Sequence, residues 1–240
     1  MTFSVIIPAK NELKNLQKVL PQFREPAKRF KLEIIIGDGA STDGSIEYAR
    51  SFGAAVEVKT KKERETIGEG RNRGAAVATG DILVFLDAGV VLEKPLVFFE
   101  TIAKRFQDTT VVAATANVDI YPEERNWQDA IVHAGVNSLI RFMNAIGQGA
   151  GKGECQIIRH SAFKKRGGYN EKLVAAEDND MFRRLAKIGK VVFLKELHVF
   201  DDPRRYRTLG YSRVISNWLL NQCPVMFFKR LYDKEWKRVD

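Results

Sequence analysis

Apolar and polar positions in the first third of the chain alternate between two periods. Residues 3–8 (Phe-Ser-Val-Ile-Ile-Pro) and 32–37 (Leu-Glu-Ile-Ile-Ile-Gly) are short, almost continuous apolar runs closed by proline or glycine, the pattern of strands buried on both faces. Between them Leu13, Leu16, Leu20 and Phe23 recur at helical spacing and predict a helix over 13–30. A helix at 45–52, a strand at 55–59, a helix at 71–78 and a strand at 81–86 continue the alternation. This order predicts an α/β fold, a mostly parallel sheet flanked by helices. Right-handed crossovers then gather the strand-end loops on one edge of the sheet.

After Pro95 the pattern loosens. A helix at 96–106 leads to a strand at 110–118, a long amphipathic helix at 127–146 and a glycine-rich break at 147–153. A strand at 154–159, a helix at 177–188 and a strand at 191–194 follow, and two amphipathic helices split by Pro224 finish the chain. The long helix reads as core and as one wall of a binding cleft. With no internal repeat and no low-complexity linker, a single domain over 1–202 is expected, with 203–240 as a basic, amphipathic C-terminal extension.

Composition adds limits to this picture. Hydrophobic residues make up 45% and charged residues 29%, which suits a globular chain. Cys155 and Cys223 show neither metal-ligand spacing nor a disulfide framework, so a reducing, cytoplasmic setting is expected. The chain opens on a strand pattern, and no apolar run approaches the ~20 residues of a membrane span; a soluble protein is expected. Net charge is +9, and residues 203–240 hold nine Lys/Arg against three Asp/Glu. An anionic partner and a solvated basic surface are both compatible with that excess.

Three predicted strands end in polar loops: Pro8-Ala-Lys-Asn11-Glu12, the stretch 37–44 around Asp38, and Asp87-Ala88-Gly89. In a parallel sheet such ends converge on the crevice where ligands bind. Asp38, flanked by glycines, is placed to accept hydrogen bonds from a base N–H or a ribose hydroxyl. Glu12 reads the same way, or as an acid favouring the positive end of the next helix. Asp43 reads as a helix cap. Gly68–Gly74 has the wrong spacing for a dinucleotide fingerprint and follows a charged stretch rather than a strand. Arg71 and Arg73, expected at a helix start, instead point to contacts with a base or phosphate.

From position 178, helical spacing reaches Met181, Phe182, Leu185 and Ile188. Asp178 therefore heads an apolar stripe, either as an N-cap or as a group aimed into a cavity. Glu177 and Asp180 would raise its pKa and the helix N-terminus would lower it. Asp180 and Arg184 have i,i+4 ion-pair spacing. His133 and His160 show no partner spacing and read as structural.

The series Val5–Glu12, Asp38–Gly44, Gly70–Gly74, Gly80–Ala88 and Glu177–Asp180 resembles glycosyltransferase family 2, over about residues 1–200. The resemblance implies the GT-A fold and a nucleotide-diphospho-sugar donor, held by residues 1–118, with 119–202 as the acceptor and catalytic half. The base would lie between the Pro8 and Asp38 loops, with Asp38 meeting it and Asp87 meeting the ribose or the diphosphate–metal region. The donor-binding set expected is Pro8, Asn11, Glu12, Asp38, Arg71, Asp87, Ala88, Arg204 and Arg205. Asp178 would be the general base that deprotonates the acceptor for inverting attack; a retaining transfer on the same scaffold is the runner-up.

One departure bears on the cofactor. The family's Asp-x-Asp reads Asp87-Ala88-Gly89 here, so one oxygen ligand for Mn²⁺ or Mg²⁺ is missing. Three readings stay open: a weakened metal site held by Asp87 and His198, a metal-free site with Arg204 and Arg205 neutralising the diphosphate, or a nucleotide-sugar-binding protein without catalysis. His198 also reads as a satisfied histidine at a strand end. The acceptor class is a sugar, a lipid phosphate or another hydroxyl. Aromatic and basic residues in the tail, Trp218 and Trp236 among them, would suit an anionic membrane at its inner face, packing on the domain, or a homodimer contact. A nucleic-acid partner is not expected, because the strand-end carboxylates would repel a phosphate backbone.

Overall fold

A computed structural model describes residues 1–60 and 65–217. The expected tail helix beyond Pro224, Cys223 and the aromatic residues from Trp218 onward lie outside the described residues.

Eight strands form one sheet in the order β3-β2-β1-β4-β7-β6-β8-β5. β1 (Phe3–Ala9), β2 (Leu32–Asp38), β3 (Ala55–Val58) and β4 (Ile82–Leu86) run parallel, as their unbroken apolar runs predict. β7 (Cys155–Arg159) then enters antiparallel between β4 and β6 (Val111–Ile120). β8 (Lys190–Asp201) runs parallel to β6, and the two-residue β5 (Val91–Leu92) closes the edge antiparallel to β8. The sheet is therefore parallel across its first half and mixed across its second.

Both faces are covered. One core holds Phe3, Phe23, Phe98 and Phe99 under the first helices and α5 (Pro95–Arg105). The other packs Phe85, Phe163, Tyr169 and Phe182 under α4 (Ile67–Ala76), α7 (His160–Lys165) and α8 (Glu177–Ala186). α4 lies very close on the strands: a Cβ on Gly37 would collide with the Gly70 carbonyl, and one on Gly74 would come within 2.6 Å of Ile6 Cγ2. This approach is what carries Arg71 down to the strand ends.

Several elements differ from expectation for readable reasons. The helix over 13–30 is α1 (Leu13–Val19), a 3₁₀ turn over Leu20–Phe23, and α2 (Arg24–Arg29). Pro21 lacks the N–H that would continue the α ladder, so the turn tightens there. α4 begins at Ile67, because Thr66 and Glu69 form a reciprocal capping box. β8 runs to Asp201 rather than stopping at residue 194; exposed Lys195 and Glu196 break its alternation, and a register shift against β6 absorbs them. α3 (Ser45–Ser51) and the ion pair of Asp180 with Arg184, 2.8 Å, are as expected.

α6 (Trp127–Ala145) corrects the expectation of a core helix. Asp129, His133, Ile140 and Asn144 are its buried residues, while Trp127, Ile131, Leu139 and Phe142 are exposed. After β8, α9 (Arg204–Leu209) and a helical stretch over 211–217 return to the N-terminal end of α6. There Arg207 pairs with Asp129 at 2.6 Å, and the Tyr211 hydroxyl donates to the same carboxylate at 2.7 Å. Among the described residues no helix is long and apolar enough to cross a membrane.

Candidate active site

The loops after β1 and β2 close on each other. Asp38 is fully buried, with Oδ1 accepting from Ser41 N at 2.8 Å and Oδ2 from Ser41 Oγ at 2.5 Å. Asn11 takes a left-handed φ of 52°, which asparagine tolerates better than most residues. From there its N–H donates to Ser41 Oγ and its Oδ1 accepts from Thr42 N, at 2.8 and 2.9 Å. Asp43 serves both neighbouring helices, accepting from Leu13 N and Ser45 N at 3.0 Å each. The Pro8 ring packs under α4 beside Gly70. Arg73 fastens this side rather than facing a ligand, donating to the carbonyls of Asp38 and Glu57.

The other side of the cleft is organised around Arg71. Expected at a helix start, it lies instead in the second turn of α4, 1% exposed. Nη1 donates to Glu177 Oε1 at 2.6 Å; Nη2 donates to Asp87 Oδ1 at 2.8 Å and to the Gly153 carbonyl at 2.9 Å. Both Nη atoms are thus committed to protein groups, while Nε is buried without a partner among the described residues, and the expectation that this side chain reads a base or phosphate is corrected. Burial alone would lower its pKa, but Asp87 and Glu177 hold it raised, so it stays charged.

Asp87 and Asp178 open onto one space. A Cβ on Gly153 would sit 3.3 Å from Arg71 Nη2, 3.8 Å from Asp178 Oδ2 and 3.9 Å from Asp87 Oδ2. Glycine at 153 leaves that volume free between the two carboxylates. The Asp87 side chain is 36% exposed. Burial raises its pKa and Arg71 opposes the rise. Asp178 lies in the first turn of α8, its Oδ1 accepting from Asn179 N at 2.7 Å. Burial, and next the charge of Glu177, push its pKa up to about 8, so desolvation and the like charge outweigh the helix N-terminus.

Gly89 marks the absent second carboxylate of the strand-end motif, and an acid from elsewhere borders its place. A Cβ there would lie 3.4 Å from Asp201 Oδ1, and the Tyr121 hydroxyl donates to the Gly89 carbonyl. Asp201 ends β8 as Asp87 follows β4, in both cases an acid at the end of a largely apolar strand. Burial raises the Asp201 pKa, and the charges of Glu154 and Asp87 raise it further. Glu154, just before β7, acts on Asp87, Asp178 and Asp201 alike, and nothing in its local sequence marks it.

Of the expected arginines, Arg204 reaches Glu12 at 3.3 Å and Asp202 at 2.8 Å, bringing α9 over the β1 loop. Half-buried Arg205 feels the charges of Glu154 and Asp87. Ala88 is buried behind the motif. His198 is corrected as a partner of Asp87. It is exposed, and strand alternation turns it to the face opposite Asp201, the β8 residue that borders Gly89. His133 and His160 each place Nδ1 against a backbone carbonyl, of Val118 at 3.0 Å and Gly80 at 2.9 Å.

A divalent cation, which the resemblance implies, does not fit the donor set as it stands. The motif supplies one carboxylate whose Oδ1 is already taken by Arg71, with glycine at the second position. Among the described residues no group of three His, Cys, Asp or Glu side chains is arranged to hold an ion.

Carboxylates thus gather at the ends of the parallel strands beside the acid-headed start of α8, and comparison with known proteins identifies the family. The family model for glycosyl transferase family 2 matches residues 4–167, and the chain belongs to that family. It is 34% identical to the uncharacterized glycosyltransferase YfnE of Bacillus subtilis over 114 residues, 47% of this chain and 29% of that protein. It is 25% identical to the succinoglycan biosynthesis protein ExoA of Rhizobium meliloti over 204 residues, 80% of this chain and 60% of that one. The chain thus spans less than two thirds of the length of either relative. The mannosyltransferase PcManGT of Pyrobaculum calidifontis, solved with GDP-Man and Mn²⁺, superposes with a TM-score of 0.66 at 21% identity, covering 83% of this chain and 56% of that structure. The fold is GT-A.

Proposed function

We propose that the chain moves a sugar from a nucleotide-diphospho-sugar to a hydroxyl or phosphate acceptor, with inversion and with Asp178 as general base. The observation that carries this reading is the shared space in front of Gly153, where Asp87 and Asp178 present one oxygen each. Residues 1–118 form the donor half: the interlocked Asn11, Asp38 and Ser41 loops set the shape of a base pocket, and the free Asp87 oxygen accepts from a ribose hydroxyl. Residues 119–202 supply Asp178 and the acceptor side.

In the transfer, the acceptor oxygen forms a bond to the anomeric carbon as the bond from that carbon to the diphosphate oxygen breaks. The acceptor proton passes to Asp178, and the electron pair leaves with the diphosphate. A base with a pKa raised toward working pH suits that proton transfer. Arg204 and Arg205, at the start of the 203–240 extension, face the departing negative charge. Arg71 holds Asp87 in place. No step runs through a cation, since the donor set does not fit one. The printed ligands of PcManGT, GDP-Man and Mn²⁺, support the donor class and leave the individual sugar open. The cytoplasmic setting expected from the cysteines belongs to the same reading, and Cys155 is free and buried.

The test is a panel of nucleotide sugars screened by melting temperature and by turnover, with and without Mn²⁺ and EDTA. One donor should raise the melting temperature and give product of inverted anomeric configuration by NMR. Retained configuration refutes inversion, and donor binding without turnover under any condition reduces the chain to a binding protein.

A further inference from the structure

Glu154 and Tyr206 have no part in the transfer steps described above, yet both lie beside the reacting groups. Cys155, the first residue of β7, pairs with Leu86, the last of β4, in an antiparallel ladder. One step beyond that pair Glu154 stands opposite Asp87, and residues opposed across an antiparallel pair project to the same face. The strand order β4-β7-β6 thus returns a residue from the second half of the chain to the edge where the donor strands end. Gly153, next to it, fronts the volume between Asp87 Oδ2 and Asp178 Oδ2.

The Glu154 side chain is 23% exposed and makes no hydrogen bond among the described residues. Its ion-pair partner, Lys152, is 4.0 Å away, too long for a hydrogen bond. Lys152 is itself buried, 3.4 Å from His133 Nδ1. The ammonium offsets the cost of burying the acid without occupying either of its oxygens. Tyr206 is half-buried on α9, and its ring packs on His133 and Tyr211 at 5.3 and 5.4 Å between centroids. Its hydroxyl has no hydrogen-bond partner among the described residues, although a tyrosine in such surroundings usually finds one. Burial, and next the charges of Glu154 and Asp201, raise the Tyr206 pKa, so the phenol keeps its proton at neutral pH.

A carboxylate only accepts hydrogen bonds, whereas a phenol donates and accepts. A diphosphate is a poor occupant, since its charge opposes that of Glu154; sugar hydroxyls suit both groups. In the proposed transfer Asp87 meets the ribose of the donor and Asp178 holds the acceptor. The sugar that moves therefore has to lie between them, along the segment that Gly153 and Glu154 form. We infer that Glu154 and Tyr206 form the subsite that reads the transferred sugar, Glu154 accepting from its hydroxyl groups and the Tyr206 hydroxyl donating to one of its oxygens. This inference rests on the proposed nucleotide-sugar transfer and adds to it the residues that select the sugar.

The test is isothermal titration calorimetry of the full 240-residue chain with UDP, GDP, UDP-glucose, UDP-galactose, UDP-N-acetylglucosamine and GDP-mannose. Glu154→Ala should weaken binding of the preferred sugar nucleotide at least about tenfold and leave its parent nucleoside diphosphate within about twofold of the wild type. Tyr206→Phe keeps the ring packing on His133 and should weaken the sugar nucleotide alone, by about three- to tenfold. Glu154→Gln keeps the shape and one acceptor oxygen, so its loss should fall short of that of Glu154→Ala; it takes the place of that variant if the alanine chain misfolds. Equal weakening of sugar nucleotide and nucleoside diphosphate, or no weakening of either, overturns the inference and leaves the donor reading intact. So does a wild type that binds UDP or GDP but none of the four sugar nucleotides. A wild type that binds none of these ligands overturns the donor reading, and this inference with it.

Discussion

Asp38 and Asp178 sit on opposite sides of one cleft, and the protein treats them differently. Both oxygens of Asp38 are occupied by Ser41, and the loop around it is cross-tied by Asn11. Asp178 has one oxygen on the Asn179 N–H and leaves the other toward the volume it shares with Asp87. Satisfied carboxylates give the donor side its shape; partly satisfied ones give the far side its reactivity. Arg71 joins the two regimes, since it comes from the helix packed on the donor strands and holds acids from both the Asp87 loop and α8.

Breaking the reactive side should have the largest effect. Asp178→Asn should lower turnover by about 10²–10⁴-fold while the melting-temperature rise caused by donor is retained; loss of both would mean that Asp178 serves binding. Arg71→Met leaves Glu177 as a buried, unpaired acid, takes the cation from the partly exposed Asp87, and should cost about 3–5 kcal/mol in chemical denaturation. A smaller loss would place the clamp outside the folding core.

The pH dependence of stability separates the sides by sign. Asp178 has a folded pKa of about 8, above its ordinary 3.8. Its contribution is therefore fully present below pH 3.8 and is lost as pH rises toward 8. Asp178→Asn should melt above the wild type at pH 8, and the difference should vanish near pH 4. On the donor side, Ser41→Ala removes one hydroxyl from a buried carboxylate and should cost roughly 1.5–3 kcal/mol. It should weaken donor binding more than kcat.

Much of this contrast was legible in the residues. Apolar runs ending in Asp38 and Asp87 announced the strand ends, and the stripe behind Asp178 announced its inward placement. Arg71 was misplaced because its partner Glu177 lies 106 residues away, and no local period reports such a pairing. Asp201 was missed because Lys195 and Glu196 interrupt the alternation of β8 and conceal its true end. The capping box at Thr66 and Glu69 was present in the sequence and would have moved the start of α4 four residues earlier, taking Arg71 off the helix terminus. α6 reads as amphipathic in sequence, but which of its faces is covered depends on β6, β8 and α9, which periodicity does not place.

The pH profile of kcat/KM, which reports the free enzyme's groups, bears most directly on Asp178 as the base once a donor is found. It should rise along a single limb centred near pH 8, as deprotonation of a carboxyl with a pKa of about 8 requires, and Asp178→Asn should remove that limb together with most of the rate. A kcat/KM that is flat from about pH 6 to 9, or a limb that survives in the variant, would contradict the assignment.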